Sequence, residues 1–347
     1  MHISPRPIAV VAGGSAGVGR ATVSALIERG YRVAVLARGE ARLREMQAEL
    51  GEAIWTRAVD VSDGAALGEA AHAIATEVGT PVIWVNCAML TSFSPFAEVD
   101  EAEFRAITDT TYLGTVNGCR AALSIMARGN IVNVGSGLAY VSVPNQAAYC
   151  GAKHAVEGFT QALRIELARE GRPVTLSMVQ LPAVNTPQFD WALNRMDRHP
   201  QPAPPIYQPE VAARAILRAI DTDAREILVG KSVLKLIFGN MLAPTVVESE
   251  LKKVGVSSQK DDRAPDGRPG NIAGPDPRHP AIAHGSFDDR ASDSGVIVDG
   301  DLARTSAIVG GAALILCAGL LIGRGLRGRD TRPELAEQDR TRALRHG

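Results

Sequence analysis

Apolar and polar residues along the chain fall into two alternating periods. Short, near-continuous apolar runs occur at 8–12 (IAVVA), 33–37 (VAVLA), 82–85 (VIWV), 131–134 (IVNV), 174–179 (VTLSMV) and 226–229 (EILV). A weaker run lies at 54–59 (IWTRAV). Runs this apolar and rich in β-branched residues predict strands covered on both faces, as in a parallel sheet. Helical spacing fills the gaps. Val18, Thr22, Ala25 and Leu26 share one face before Gly30, which supplies a C-terminal stop, and Val156, Phe159, Leu163 and Leu167 form a second stripe. The alternation predicts an α/β fold, a doubly wound (Rossmann-like) parallel sheet of about seven strands, over residues 1–255.

Near residue 256 the pattern stops. Residues 256–303 are rich in Asp, Pro and Gly, with few large apolar side chains, and such a composition predicts a disordered linker. Residues 305–323 (TSAIVGGAALILCAGLLIG) carry no charge between Arg304 and Arg324. As a helix they would span about 28 Å, close to the roughly 30 Å hydrocarbon core of a bilayer. Gly319 and Gly323 would allow close helix pairing. A transmembrane helix over 304–324 with a charged tail at 325–347 is therefore expected; a helix packed against the catalytic domain or a partner is the other reading. Arg324, Arg327 and Arg329 favour a cytoplasmic tail. The N-terminus lacks a signal-peptide core, which places the folded part in the cytoplasm. A shallow or hairpin insertion would reconcile the two.

Composition narrows the function classes. Lys+Arg 37 against Asp+Glu 38 leaves no net basic field, so no nucleic-acid partner is expected. The hydrophobic fraction is 46% but aromatics make up only 4%, so the core must be aliphatic. Cys87, Cys119, Cys150 and Cys317 have neither metal-ligand nor disulfide-framework spacing.

The chemistry starts at AGGSAGVGR, residues 12–20, between the first strand and first helix. Gly13, Gly17 and Gly19 permit a tight turn and bring backbone N–H groups up to a pyrophosphate at the helix N-terminus. At the end of the second strand, where an acid would hold the ribose 2′-hydroxyl of NAD, the chain reads Ala37-Arg38. An arginine there pairs with a 2′-phosphate, so NADP(H) is expected in preference to NAD(H). Farther on, Tyr149 and Lys153 stand four apart in YCGAK, on one face of a helix. An ammonium so placed favours a tyrosinate.

Gly13-x-x-x-Gly17-x-Gly19, then Ser136, then Tyr149-x-x-x-Lys153, in this order, resembles the short-chain dehydrogenase/reductase family over roughly residues 6–250. The resemblance implies an NADP(H)-dependent oxidoreductase acting on a small-molecule carbonyl or alcohol. Tyr149 would be the general acid/base, Lys153 its activator and ribose ligand, and Ser136 the donor to the substrate oxygen. It further implies cofactor contacts from Ser15, Val18, Asp60, Val61, Asn86, Ala88 and Thr186, and a homo-oligomer through helices carrying 101–128 and 154–169. Ala12, Cys87, Met89 and Ala183 depart from the family pattern, as does Thr111, which stands where an asparagine usually holds a water in the proton path. Thr111 is kept as a catalytic candidate through its hydroxyl. Phe189, Trp191 and Met196, within 187–208, could line an apolar substrate pocket. Cys150 and His154 are read as structural. A membrane-tethered NADP(H)-binding adaptor with little turnover is the alternative function.

Overall fold

Each apolar run becomes a strand because its alternate side chains are buried on opposite faces. The computed structural model describes residues 6–276 and 278–311. In chain order the strands are β1 (Ile8–Ala12), β2 (Arg32–Ala37), β3 (Ile54–Ala58), β4 (Pro81–Asn86), β5 (Ser92–Phe93), β6 (Gly129–Ser136), β7 (Val174–Leu181), β8 (Leu193–Asn194), β9 (Ile206–Tyr207), β10 (Glu226–Val229), β11 (Ala291–Ser292) and β12 (Ile297–Asp299). The helices are α1 (Gly17–Glu28), α2 (Glu40–Leu50), α3 (Gly64–Glu77), α4 (Glu101–Thr108), α5 (Gly114–Ile125), α6 (Ala147–Arg169), α7 (Gln188–Trp191), α8 (Pro209–Thr222), α9 (Gly230–Leu242) and α10 (Pro244–Val254).

The main sheet runs β12-β10-β7-β6-β4-β1-β2-β3. Its neighbours are parallel except β12, which pairs antiparallel with β10. Period-two burial divides the core. Ala9 and Val11 of β1 pack with Val23 and Leu26 of α1 and with Val211 and Ala215 of α8. Ile8, Val10 and Ala12 face the other way, toward Leu67 and Ala70 of α3, Cys119 and Ala122 of α5, and Leu167 of α6. Strand order reverses at β1, which lies between β2 and β4. The crevice outside the carboxyl ends of those strands is where open α/β sheets bind ligands.

Two expectations need correction. The sheet has eight strands, not about seven, because residues beyond 255 contribute to it. Residues 256–299 are not a disordered linker: they belong to the same compact unit as the sheet. β11 pairs with β9 and β12 closes the sheet edge. Polar contacts do most of the holding. Arg268 donates to the carbonyls of Ala192 and Phe189, at 3.2 and 2.9 Å. Arg218 donates to the Ile297 carbonyl, and Asn185 to the Asp288 carboxylate. The one large aromatic of the segment, Phe287, is 1% exposed, lies edge-on to Phe189, and carries the guanidinium groups of Arg263 and Arg290 at 5.0 and 4.9 Å from its ring centre.

The membrane expectations are corrected as well. Among the described residues no helix is long and apolar enough to cross a membrane. The helix that begins at residue 300 is described only to 311, so residues 312–323 of the apolar stretch, and the tail, lie outside the described residues. No membrane anchor is retained.

Phe287→Ala should lower unfolding free energy in urea by about 3–5 kcal/mol, the usual cost of deleting a buried aromatic. A loss below about 0.5 kcal/mol would contradict a packed 256–299 segment.

Candidate active site

The turn between β1 and α1 is shaped by what lies against it. Gly13 and Gly17 have φ of +88° and +56°, which side chains disfavour. A Cβ on Gly13 would lie 2.5 Å from the Ala88 nitrogen, and one on Gly19 would lie 2.1 Å from the Gly13 carbonyl oxygen. The glycines therefore let the turn pass directly beside the chain leaving β4. The Gly13 N–H donates to the Leu36 carbonyl at 2.7 Å, tying the turn to β2. α1 starts at Gly17 with no side-chain cap, since Ala16 offers none. Ser15 is buried, and Val18 is half-buried against the core under α1. Thr186 lies across from Gly17, 3.2 Å from where a Cβ would stand. The turn offers a dinucleotide phosphate glycine backbone at a helix N-terminus, with the Gly17 N–H engaged by the Ile282 carbonyl at 3.0 Å.

Arg38 leaves the end of β2 at the rim. Its guanidinium lies 3.8 Å from the Asp60 carboxylate and donates to the Asn271 carbonyl at 3.1 Å. Asp60 also accepts from the N–H and hydroxyl of Ser62, which turns the chain after β3. Val61 is buried against Gly114 at the start of α5. Asn86, expected to meet the cofactor, faces inward instead. Its amide donates to Asn133 at 2.8 Å and its oxygen accepts from the Trp84 indole at 2.8 Å. Asn133 in turn donates to Thr160, so Asn86 joins β4 to β6 and α6.

α6 brings Tyr149 and Lys153 to the end of β6, where Ser136 stands. Ser136 neighbours the Tyr149 hydroxyl and acts to draw the phenol pKa down. Burial acts more strongly, and it pushes the pKa above its ordinary value of 10, so the phenol is neutral and protonated. Lys153 Nζ lies 5.7 Å from the Tyr149 ring centre and donates to the Val134 carbonyl at 2.7 Å. Burial lowers its pKa from 10.5 to about 8. Burial likewise pushes the Cys87 thiol up to about 11, so it stays neutral.

The structure gives Thr111 a different partner from the expected water. It lies in a π-helical turn, Asp109–Leu113, and is fully buried. Its hydroxyl accepts from the Leu90 N–H at 3.0 Å and donates to the Leu90 carbonyl at 3.1 Å. It pins the loop after β4 under the site. Phe189 and Met196 cluster with Phe93, whereas Trp191 packs beneath the Arg42 guanidinium, 4.4 Å from its ring centre. Cys150 is buried and the His154 ring bonds the Cys150 carbonyl, in keeping with structural roles.

Sequence reasoning missed Gln180. Its side-chain oxygen accepts from the Ser136 N–H at 2.9 Å, while its amide donates to Glu157 and Glu226 at 2.7 and 3.0 Å. The signal was a glutamine inside the apolar run of β7, where an unpaired amide would be costly.

Residues 7–196 match the family described as short chain dehydrogenase. An uncharacterized oxidoreductase of Bacillus subtilis (strain 168), YxnA, is 30% identical over 265 residues, covering 74% of each chain. A short chain dehydrogenase from Burkholderia cenocepacia J2315, solved in complex with NADP, superposes with TM-score 0.61 at 26% identity, covering 71% of this chain and 97% of that one. A short-chain dehydrogenase from Streptomyces avermitilis gives TM-score 0.62 at 24% identity, covering 72% and 97%, a likeness of fold. These likenesses give no support to the expected homo-oligomer or to a non-catalytic adaptor. On the family match and the Bacillus relative, the chain belongs to the short chain dehydrogenase family.

Proposed function

We propose that the chain is an NADP(H)-dependent oxidoreductase that interconverts a carbonyl and an alcohol, with Tyr149 as the proton donor and acceptor. Family membership supports the oxidoreductase class. The Burkholderia relative with NADP and the rim position of Arg38 support the cofactor. When bound, NADP(H) supplies or accepts the hydride. Gly13, Gly17 and Gly19 would admit its pyrophosphate, and Arg38 its 2′-phosphate. The observation that carries the reading is the convergence of Ser136, at the end of β6, with Tyr149 of α6, and with Lys153 one helical turn farther along that helix.

In this arrangement a substrate carbonyl oxygen would accept hydrogen bonds from the Ser136 and Tyr149 hydroxyls. The neutral phenol can donate its proton to the developing alkoxide, so reduction is the direction the ground state favours. The Lys153 ammonium would favour the resulting phenolate and bind ribose hydroxyls. Leu90, Ile107 and Ala148 surround Tyr149, with Met89 and Leu138 packed beside them. Such a wall suits an apolar carbonyl compound.

Tyr149→Phe removes the transferable proton and little else. Its NADPH-dependent reduction rate should fall by about 10²–10⁴ while NADPH affinity changes by no more than a few fold. Full retained activity would refute the assignment.

Lys153 makes a separate prediction. Its pKa is lower folded than unfolded, so the unfolded chain binds more protons between about pH 8 and 10.5, and folding stability rises with pH across that window. Relative to Lys153→Met, the parent protein should gain on the order of 2–3 kcal/mol between those limits in urea titrations. Parallel profiles would mean that burial does not depress this amine.

A further inference from the structure

Residues 268–276 and 278–288 lie along the cleft just described and occupy its donors. The Asn271 carbonyl accepts from Arg38, the group assigned to the 2′-phosphate. The Ile282 carbonyl accepts from the Gly17 N–H at 3.0 Å, the first amide of α1. Ile272 packs on Leu90, Ile107, Ala148 and Tyr149, where a substrate would approach. Gly285 presses on Thr186, so that a Cβ there would lie 2.4 Å from the Thr186 carbonyl oxygen. The backbone carbonyls of one segment thus stand where phosphate oxygens would accept. A single N–H makes one strong hydrogen bond, so a dinucleotide and this segment exclude each other at Gly17.

The segment is held at both ends and more lightly in between. Arg268 bonds the carbonyls of Phe189 and Ala192 at one end, and Phe287 is buried at the other. Between them, Arg42 donates to the carbonyls of Asp276 and His279. The Arg278 guanidinium bonds the Asp276 carboxylate at 2.6 Å, and the Ala281 N–H donates to Glu45 at 3.0 Å. Apart from the buried Arg42–Asp276 bond these contacts are partly solvated, and polar contacts of this kind can open together without unfolding the domain.

We propose that residues 270–276 and 278–284 act as an intrasteric competitor of NADP(H): their backbone occupies the dinucleotide cleft, and the cofactor binds only when the segment leaves. The proposal rests on the cleft being the NADP(H) site. The apparent dissociation constant of NADPH is then its intrinsic value divided by the fraction of chains with the segment released. Loosening the segment must tighten cofactor binding.

The test is NADPH titration of the full chain by nicotinamide fluorescence, in three variants. Asp276→Ala removes the ion pair with Arg278 that shapes the segment, and Glu45→Ala removes one tether to the domain; neither touches the glycine turn or Tyr149. The third replaces residues 270–284 by an equal number of alternating glycine and serine residues, keeping both anchors. Far-ultraviolet circular dichroism checks folding. The proposal predicts tighter binding in each variant, about tenfold in the third, and faster amide hydrogen exchange in 270–284 when NADPH is added to the parent protein. Unchanged affinity overturns it while leaving the cofactor reading intact. Weaker binding, or slower exchange on adding NADPH, also overturns it, because the segment would then complete the cofactor site. No binding by any form, the glycine-serine replacement included, overturns the cofactor reading and the proposal with it.

Discussion

The contact between the Gly13–Gly19 turn and the chain leaving β4 sets the geometry of everything nearby. Backbone meets backbone there, with no room for a Cβ at Gly13, and Gly19 packs as closely on the Gly13 carbonyl within the turn. That closeness fixes the start of α1 over the sheet, so its first amides, including the Gly17 N–H that donates to the Ile282 carbonyl, face the crevice between β1 and β4. The same crevice receives Ser136 from β6 and Tyr149 and Lys153 from α6. A side chain at either glycine would push the helix off the sheet and misplace every group measured against it.

Placing an ionisable pair in this position has a cost. Burial opposes both the Tyr149 phenolate and the Lys153 ammonium. The fold compensates with the Ser136 hydroxyl beside the phenol and with a hydrogen bond from Lys153 to the Val134 carbonyl. Behind them, Gln180 holds the Ser136 backbone and is itself held by Glu157 and Glu226. Such a chain of buried polar groups is stable only when each member is satisfied. The site is therefore built in a poorly solvating environment, where a proton donor stays protonated until a partner with developing negative charge arrives.

The strands were legible because burial on both faces leaves continuous apolar runs, and each run named from the sequence contains a strand of the sheet. Gly13, Ser136, Tyr149 and Lys153 stood out in the sequence by their types and order, and the fold sets them at strand and helix ends. Thr111 and Asn86 were harder. Their residue types suit a site, yet their hydroxyl and amide are consumed by Leu90 and by Asn133. Residues 256–299 were misread for a different reason. Composition reports how much apolar surface a segment can bury, and this one buries little beyond Phe287. Its partners are arginines and asparagines far away in the chain, such as Arg38, 233 residues before Asn271. Long-range polar pairing of that kind leaves no periodic trace.

Hydride transfer in the Tyr149 cleft is the central claim. NADPH carrying deuterium at the reactive C4 position of the nicotinamide, incubated with the full chain and a panel of apolar ketones and aldehydes in ordinary water, tests it by product mass spectrometry. The account predicts an alcohol one mass unit heavier, with the label on the carbinol carbon and the hydroxyl proton from solvent. Oxidised cofactor with unlabelled alcohol, or bound NADPH with no alcohol from any member of the panel, would contradict it.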